Sequence, residues 1–217
     1  MLLYLIRHGQ STNNAGLPRV VDPVLTDLGI AQAQYAATSL RKEGLTHLFA
    51  SPMRRALQTA AKLSEATNLP VTVAPEFCEV GGLRQPPGLT RSEVELLCPN
   101  CQPADSVTEA GWWFGEEETY SQGYARASLV SQNLWQLARR EPKANVGLIT
   151  HGTYSSFLIR AFMEIPFLGE GDSGHVRFNH GNTAVTLLDI EPGFFQLRYQ
   201  NRTEHLPFDH ITGLDDG

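Results

Sequence analysis

The chain is 217 residues long, 41% hydrophobic and 18% charged, which fits one globular domain with its own core and excludes a largely disordered chain. Lys and Arg number 17 against 23 Asp and Glu, a formal net charge of −6. No basic tract occurs, which argues against nucleic acid or a membrane surface as partner.

The first apolar run, Leu2–Ile6, ends abruptly at Arg7 and His8. It is too short for a signal-peptide core or a membrane span, and reads as a strand buried on both faces. Residues 25–43 read as a helix, with Thr26 or Asp27 as cap, Leu28, Ala31, Tyr35, Ala36 and Leu40 on the apolar face, and Gly44 as the stop. His47–Ala50 is a short strand. Ser51-Pro52 reads as a cap with proline at the first helical position, and Met53, Ala56, Leu57, Ala60 and Leu63 carry the helical period that follows.

Val71–Val73 is again strand-like. Residues 81–120 then lose periodicity around Pro86-Pro87-Gly88, Pro99 and Pro103, apart from a short helix at 90–97 with Thr90 and Glu93 as a capping box. A long helix is expected over 119–140, a strand over 146–150, and a helix from 152 through Met163. Val176–Phe178, Ala184–Ile190 and Phe194–Asn201 close the fold, the last two as a hairpin around Pro192-Gly193. This alternation predicts a single-domain α/β three-layer sandwich with a mostly parallel central sheet, residues 81–120 being an insertion over the active-site edge.

Ligands of open α/β sheets sit beyond the carboxyl ends of the strands. Two strands end there in His-Gly: Arg7-His8-Gly9 and Thr150-His151-Gly152. One such histidine is ordinarily structural; two, each with a glycine permitting close approach, point to a site. Arg54 and Arg55 fall in the first turn of the helix opened by Ser51-Pro52, where each cation is unfavourable by roughly 0.3–1 kcal/mol unless an anion lies nearby. Backbone donors and guanidinium forks there suit phosphate, with Arg54 expected to turn outward more readily than Arg55. Arg7 adds a third cation for the oxygens of a transferring phosphoryl group.

These residues resemble the histidine phosphatase superfamily, with its phosphoglycerate mutase-like fold. The resemblance runs through Leu5-Ile6-Arg7-His8-Gly9-Gln10-Ser11, Asn14, Leu25-Thr26-Asp27-Leu28-Gly29 with Gln32-Ala33, and the run from Ser51 to Ala60. Glu79, Thr150-His151-Gly152 and Asn182-Thr183-Ala184 complete it. It implies a phosphoric monoester hydrolase of the histidine acid phosphatase type, with no cofactor or metal. Its partner would be a small phosphorylated substrate.

By that resemblance His8 is the nucleophile, while Arg7, Arg55 and His151 surround the phosphoryl oxygens. Asn14, Gly152 and Asn182 contact substrate, and Glu79 is the acid that protonates the leaving oxygen. Such an imidazole must be neutral to attack, and such an acid must begin protonated. Gln10 stands where an acidic residue is common, which leaves the pocket more neutral. Val80-Gly81-Gly82-Leu83 replaces the tyrosine-glycine segment of the mutases and disfavours mutase chemistry. A catalytically silent binding module is the other alternative.

Other features carry less. Cys98-Pro99-Asn100-Cys101 reads as an incidental or structural pair rather than a metal site or disulfide, and three cysteines allow no closed disulfide framework, pointing to a reducing cytoplasm. Gly171-Asp172-Ser173-Gly174 is read as a loop. Trp112, Trp113 and Phe114 read as core in preference to a substrate platform, and Glu116-Glu117-Glu118 as a solvated helix start. Arg84 and Arg91 are open between binding a second anionic group and facing solvent. Oligomeric state and physiological substrate are not encoded visibly.

Overall fold

A computed structural model of the chain describes residues 1–82, 87–113, 115, 117–169 and 176–214. In chain order it contains β1 (Leu2–Arg7), α1 (Asp27–Leu40), β2 (His47–Ala50), α2 (Arg54–Thr67), β3 (Val71–Val73), α3 (Arg91–Leu97), β4 (Cys101–Pro103), α4 (Tyr120–Arg140), β5 (Asn145–Thr150), α5 (Gly152–Phe162), β6 (Val185–Glu191) and β7 (Phe194–Arg202). Among the described residues the strands form one sheet in the order β4-β3-β2-β5-β1-β6-β7. The pairs from β4 to β1 are parallel, and β6 pairs antiparallel with both β1 and β7.

Continuous apolar runs explain the middle of the sheet. Leu3, Leu5, Val146 and Leu148 point to one face, and Tyr4, Ile6 and Ile149 to the other; all are buried. Helices α1, α2 and α3 cover the Tyr4 and Ile6 face, and α4 and α5 cover the opposite one. Register then decides where the site forms. Arg7 pairs with Thr150, and Ala50 with Ile149, so β1, β2 and β5 end side by side and present His8, Ser51 and His151 together.

Several boundaries differ from expectation. Thr26, not Asp27, caps α1, accepting from the Gly29 N–H. The expected apolar-face residue Tyr35 is 41% exposed and meets the His210 ring edge-on instead. Helix α2 begins at Arg54 with Met53 as its cap residue, so Ser51 is freed from the expected capping role. Val176–Phe178 is not a strand; Phe178 N–H instead donates to Ser156 Oγ.

Residues 81–120 do more than cover an edge. They supply α3, whose Thr90–Glu93 capping box forms as expected, and the unforeseen edge strand β4. Leu89, Val94, Val107 and Trp112 join the core under α2. Trp113 packs partly buried against it, while Phe114 and Arg84 lie outside the described residues, as does the segment 171–174. Cys98 and Cys101 are joined by a disulfide across the turn from α3 into β4, correcting the expectation of an incidental pair; Cys78 is buried and free. Arg91, read as either binding a second anion or facing solvent, is half-buried: its guanidinium donates to the carbonyls of Pro103, Ala104 and Val107 and lies 3.7 Å from the Glu95 carboxylate. No helix among the described residues is long and apolar enough to cross a membrane.

Candidate active site

The two histidines predicted from the strand ends meet. Their ring centroids are 5.1 Å apart at 59°, and both side chains are buried. His8 Nδ1 lies 2.7 Å from the Gly9 carbonyl oxygen. A carbonyl only accepts, so Nδ1 carries the proton and Nε2 keeps its lone pair. Arg55 Nε donates to that lone pair at 3.0 Å. Burial, reinforced by Arg55 and then Arg7, holds the His8 imidazole well below its usual range, and it is uncharged at neutral pH.

His151 is likewise driven down by burial and by Arg55, His8 and Arg7. Its Nε2 is 2.8 Å from Ser51 Oγ. Ser51 Oγ also accepts from Met53 N–H at 3.3 Å. The hydroxyl proton therefore goes to His151 Nε2, the acceptor it meets among the described residues, and leaves the proton of the neutral ring on Nδ1. His151 Nδ1 is buried and makes no hydrogen bond among the described residues.

Arg7 is buried across the top of β1, where Nη1 donates to the carbonyls of His180 (2.6 Å) and Gly213 (2.9 Å). Gly152 opens α5 directly against it: a Cβ there would lie 3.6 Å from Arg7 Nε. Asn182 donates to the His8 carbonyl (3.2 Å) and to Asn14 Oδ1 (3.4 Å), which also accepts from the Ser11 N–H and hydroxyl. Thr183, next in sequence, is buried with φ 55 and donates its N–H to the carbonyls of Arg7 and His8. A β-branched residue in that conformation stores about 1–3 kcal/mol of strain, a common feature of functional sites.

Glu79 leaves the sheet after β3 and lies over the first turn of α5. Its carboxylate accepts from the N–H groups of Val80 (2.9 Å), Tyr154 (2.8 Å) and Thr153 (3.3 Å). It is close enough to Arg55 to act on its charge. All eight predicted positions thus gather at one end of the sheet.

Three residues were missed. Asp22 accepts from the Arg54 N–H at 3.1 and 3.2 Å and lies 3.7 Å from Arg55 Nη1. A carboxylate of the chain itself thus lies at the start of α2, which offsets the cost of placing Arg55 there. Arg54, as expected, turns outward, 4.0 Å from Glu93. Thr59 accepts from the Gly9 N–H (3.1 Å) and donates to the Arg55 carbonyl, tying the two segments together. Ser51 was read as a cap. Gln10, treated as a pocket residue, turns its side-chain oxygen to Thr26 at 2.8 Å.

A profile of the histidine phosphatase superfamily (branch 1) matches residues 3–203. The chain belongs to the histidine phosphatase superfamily. Within it, the glucosyl-3-phosphoglycerate phosphatase of Mycobacterium tuberculosis is 31% identical over 172 residues, 76% of either chain. A solved structure of the mycobacterial glucosyl-3-phosphoglycerate phosphatase in complex with VO3 is 26% identical, superposes with a TM-score of 0.63, and is matched over 98% of its chain and 92% of this one. A probable phosphoglycerate mutase of Yersinia pestis is 35% identical over a shorter stretch of 80 residues, 36% of this chain and 37% of its own.

Proposed function

We propose that this superfamily member is a phosphomonoester hydrolase that works through a phosphohistidine on His8 and acts on a small phosphorylated metabolite. The observation that carries the reading is the state of His8: buried, uncharged, its proton pinned on Nδ1 by Gly9, and its Nε2 lone pair beside Arg55. The phosphatase names borne by the relatives matched over most of their length support hydrolysis. The mutase relative matches over 80 residues only, and the Val80-Gly81-Gly82 run after Glu79 is unlike the mutase pattern.

In this reading the Nε2–P bond forms as the ester P–O bond breaks. Arg55 transfers its Nε donor from Nε2 to a phosphoryl oxygen as the attack proceeds. Arg55, Arg7 and the Nδ1–H of His151 stabilise the charge spread over the transferring group. Glu79 gives its proton to the leaving oxygen and then takes one from the water that attacks phosphorus. The N–P bond breaks, and inorganic phosphate and free His8 are released. An acid-phosphatase character belongs to the same reading, because His8 resists protonation. A cytoplasmic setting is the compartment the sequence suggested, while the Cys98–Cys101 disulfide is a feature of oxidising ones.

His8→Ala is expected to abolish turnover of p-nitrophenyl phosphate while far-ultraviolet circular dichroism is unchanged, and the native enzyme quenched in alkali should carry acid-labile phosphate on His8. Turnover by His8→Ala would remove His8 from the chemistry. With 3-phosphoglycerate, hydrolysis releases inorganic phosphate; formation of 2-phosphoglycerate without phosphate release would instead identify a mutase.

A further inference from the structure

Arg126 stands on α4, outside the cluster of groups around His8, yet all five of its N–H donors are engaged. Nε and Nη2 grip the Glu118 carboxylate at 2.8 and 2.6 Å. Nη1 donates to the carbonyls of Glu76 (2.8 Å) and Cys78 (3.0 Å), and Nη2 to that of Glu79 (3.3 Å). The guanidinium lies 4.6 Å from the centre of the Tyr154 ring, and Tyr154 N–H is itself a donor to the Glu79 carboxylate.

Glu118 closes the arrangement. Its Oε2 accepts from Gly81 N–H at 3.3 Å, and its own N–H donates to the Gly81 carbonyl at 3.4 Å. Gly123 makes room for this, since a Cβ there would sit 2.8 Å from Val80 Cγ1 and 3.2 Å from Glu118 Oε2. Glu118 was read from sequence as part of a solvated helix start; its side chain is 9% exposed and that of Arg126 16%. An exposed ion pair constrains little, whereas a shielded bidentate one with every donor filled fixes what it holds. Here it holds the backbone on both sides of Glu79, from residue 76 to residue 81.

We propose that Arg126 and Glu118 are positioning residues for Glu79: their clamp on the 76–81 backbone keeps the Glu79 carboxyl over the start of α5, next to His151, where it can protonate the leaving oxygen. The proposal rests on the assignment of Glu79 as the acid. Geometry requires arginine, because three carbonyls and a carboxylate converge on one planar fork, and a lysine ammonium offers only three donors from one point.

The test is kcat/KM, which reports the phosphorylation half-reaction, across phosphomonoesters graded from nitrophenyl to alkyl leaving groups. A nitrophenolate departs without a proton, whereas an alkoxide needs one. Glu79→Gln should lose about a hundredfold or more on the alkyl esters and little on p-nitrophenyl phosphate, the range expected of a lost general acid. Arg126→Lys and Glu118→Gln should show the same tilt at smaller size, about tenfold on alkyl esters against less than about threefold on the nitrophenyl ester. If Arg126→Lys does not fold, Glu118→Gln, which keeps an oxygen toward Arg126, carries the comparison. A uniform loss along the series, or none, alongside a tilt in Glu79→Gln overturns the positioning role and leaves the acid assignment standing. A flat series for Glu79→Gln overturns both.

Discussion

At His8 two opposing influences act on one ring. The Gly9 carbonyl hydrogen-bonded to Nδ1 favours the protonated ring, while burial, Arg55 and Arg7 disfavour it; the second group prevails, and the ring stays neutral well below the usual imidazole range. The sign has a kinetic consequence. An ordinary histidine nucleophile is lost by protonation as pH falls through about 6.5. Here kcat/KM, which reports the free enzyme, is expected to show no loss attributable to His8 as pH falls through about 6.5, its acid limb lying lower. A limb centred near 6.5 that vanishes in no other variant would mean that His8 is hydrated and that the buried geometry does not govern it.

How far single residues could be read from sequence depends on how local their signals are. His8 and His151 end continuous apolar runs and are followed by glycine, a pattern visible within a few residues. Arg55 was conspicuous because a cation in a first helical turn needs an explanation. Asp22 and Arg126 carry no such mark. Asp22 meets Arg54 and Arg55 more than thirty residues away, and Arg126, besides Glu118 eight residues before it, meets the distant 76–79 turn; neither lies on a periodic stripe whose disruption would draw notice. Ser51 had a local signal that pointed the wrong way, toward a helix cap.

At the scale of elements, the site depends on how closely α1 approaches the loop after β1. Gly29 sits in the first turn of α1, and a Cβ built on it would lie 2.1 Å from the Gln10 carbonyl oxygen; one on Gly9 would lie 2.4 Å from the Gly29 carbonyl oxygen. Helix propensity alone predicts that Gly29→Ala stabilises the protein by up to about 1 kcal/mol. The clash is with backbone and cannot be relieved by a rotamer change, so the overpacking cost of about 1–3 kcal/mol outweighs it. Gly29→Ala is therefore expected to lower the urea midpoint. It should also depress kcat, because displacing residues 9 and 10 moves the Gly9 carbonyl that pins the His8 proton. A raised midpoint would show that the loop yields freely. The same scale explains what sequence could and could not deliver about elements. Strands β1 and β5 are buried on both faces and announce themselves, whereas the edge strand β4 has three residues with one proline, and only its pairing with β3 makes it a strand.

For the whole molecule, the neutral buried histidines that suit the chemistry also set its response to acid. His8, His151 and His180 are all buried, and all have their ring pKa lowered, with burial as the leading cause; His180 is pushed down to about 4. The unfolded chain takes up these protons near pH 6.5, while the folded chain refuses them until much lower pH, so the unfolded state binds more protons in between. Stability contributed by the neutral rings is thus complete above about pH 6.5 and is lost as pH falls toward the folded values. For His180 the span from 6.5 to about 4 corresponds to roughly 3 kcal/mol, a large part of the stability of an ordinary domain. His180 serves no proposed chemical step; its Nδ1 and Nε2 meet the Phe178 carbonyl and Thr186 Oγ1 while its carbonyl receives Arg7. Urea unfolding followed from pH 7.5 to pH 4.5 should accordingly show a plateau above about 6.5 and a steep decline below it. His180→Gln, which keeps polar atoms but cannot titrate, should flatten part of that decline. An equal slope in the variant would show that His180 is protonated in the folded protein and that the acid sensitivity arises elsewhere.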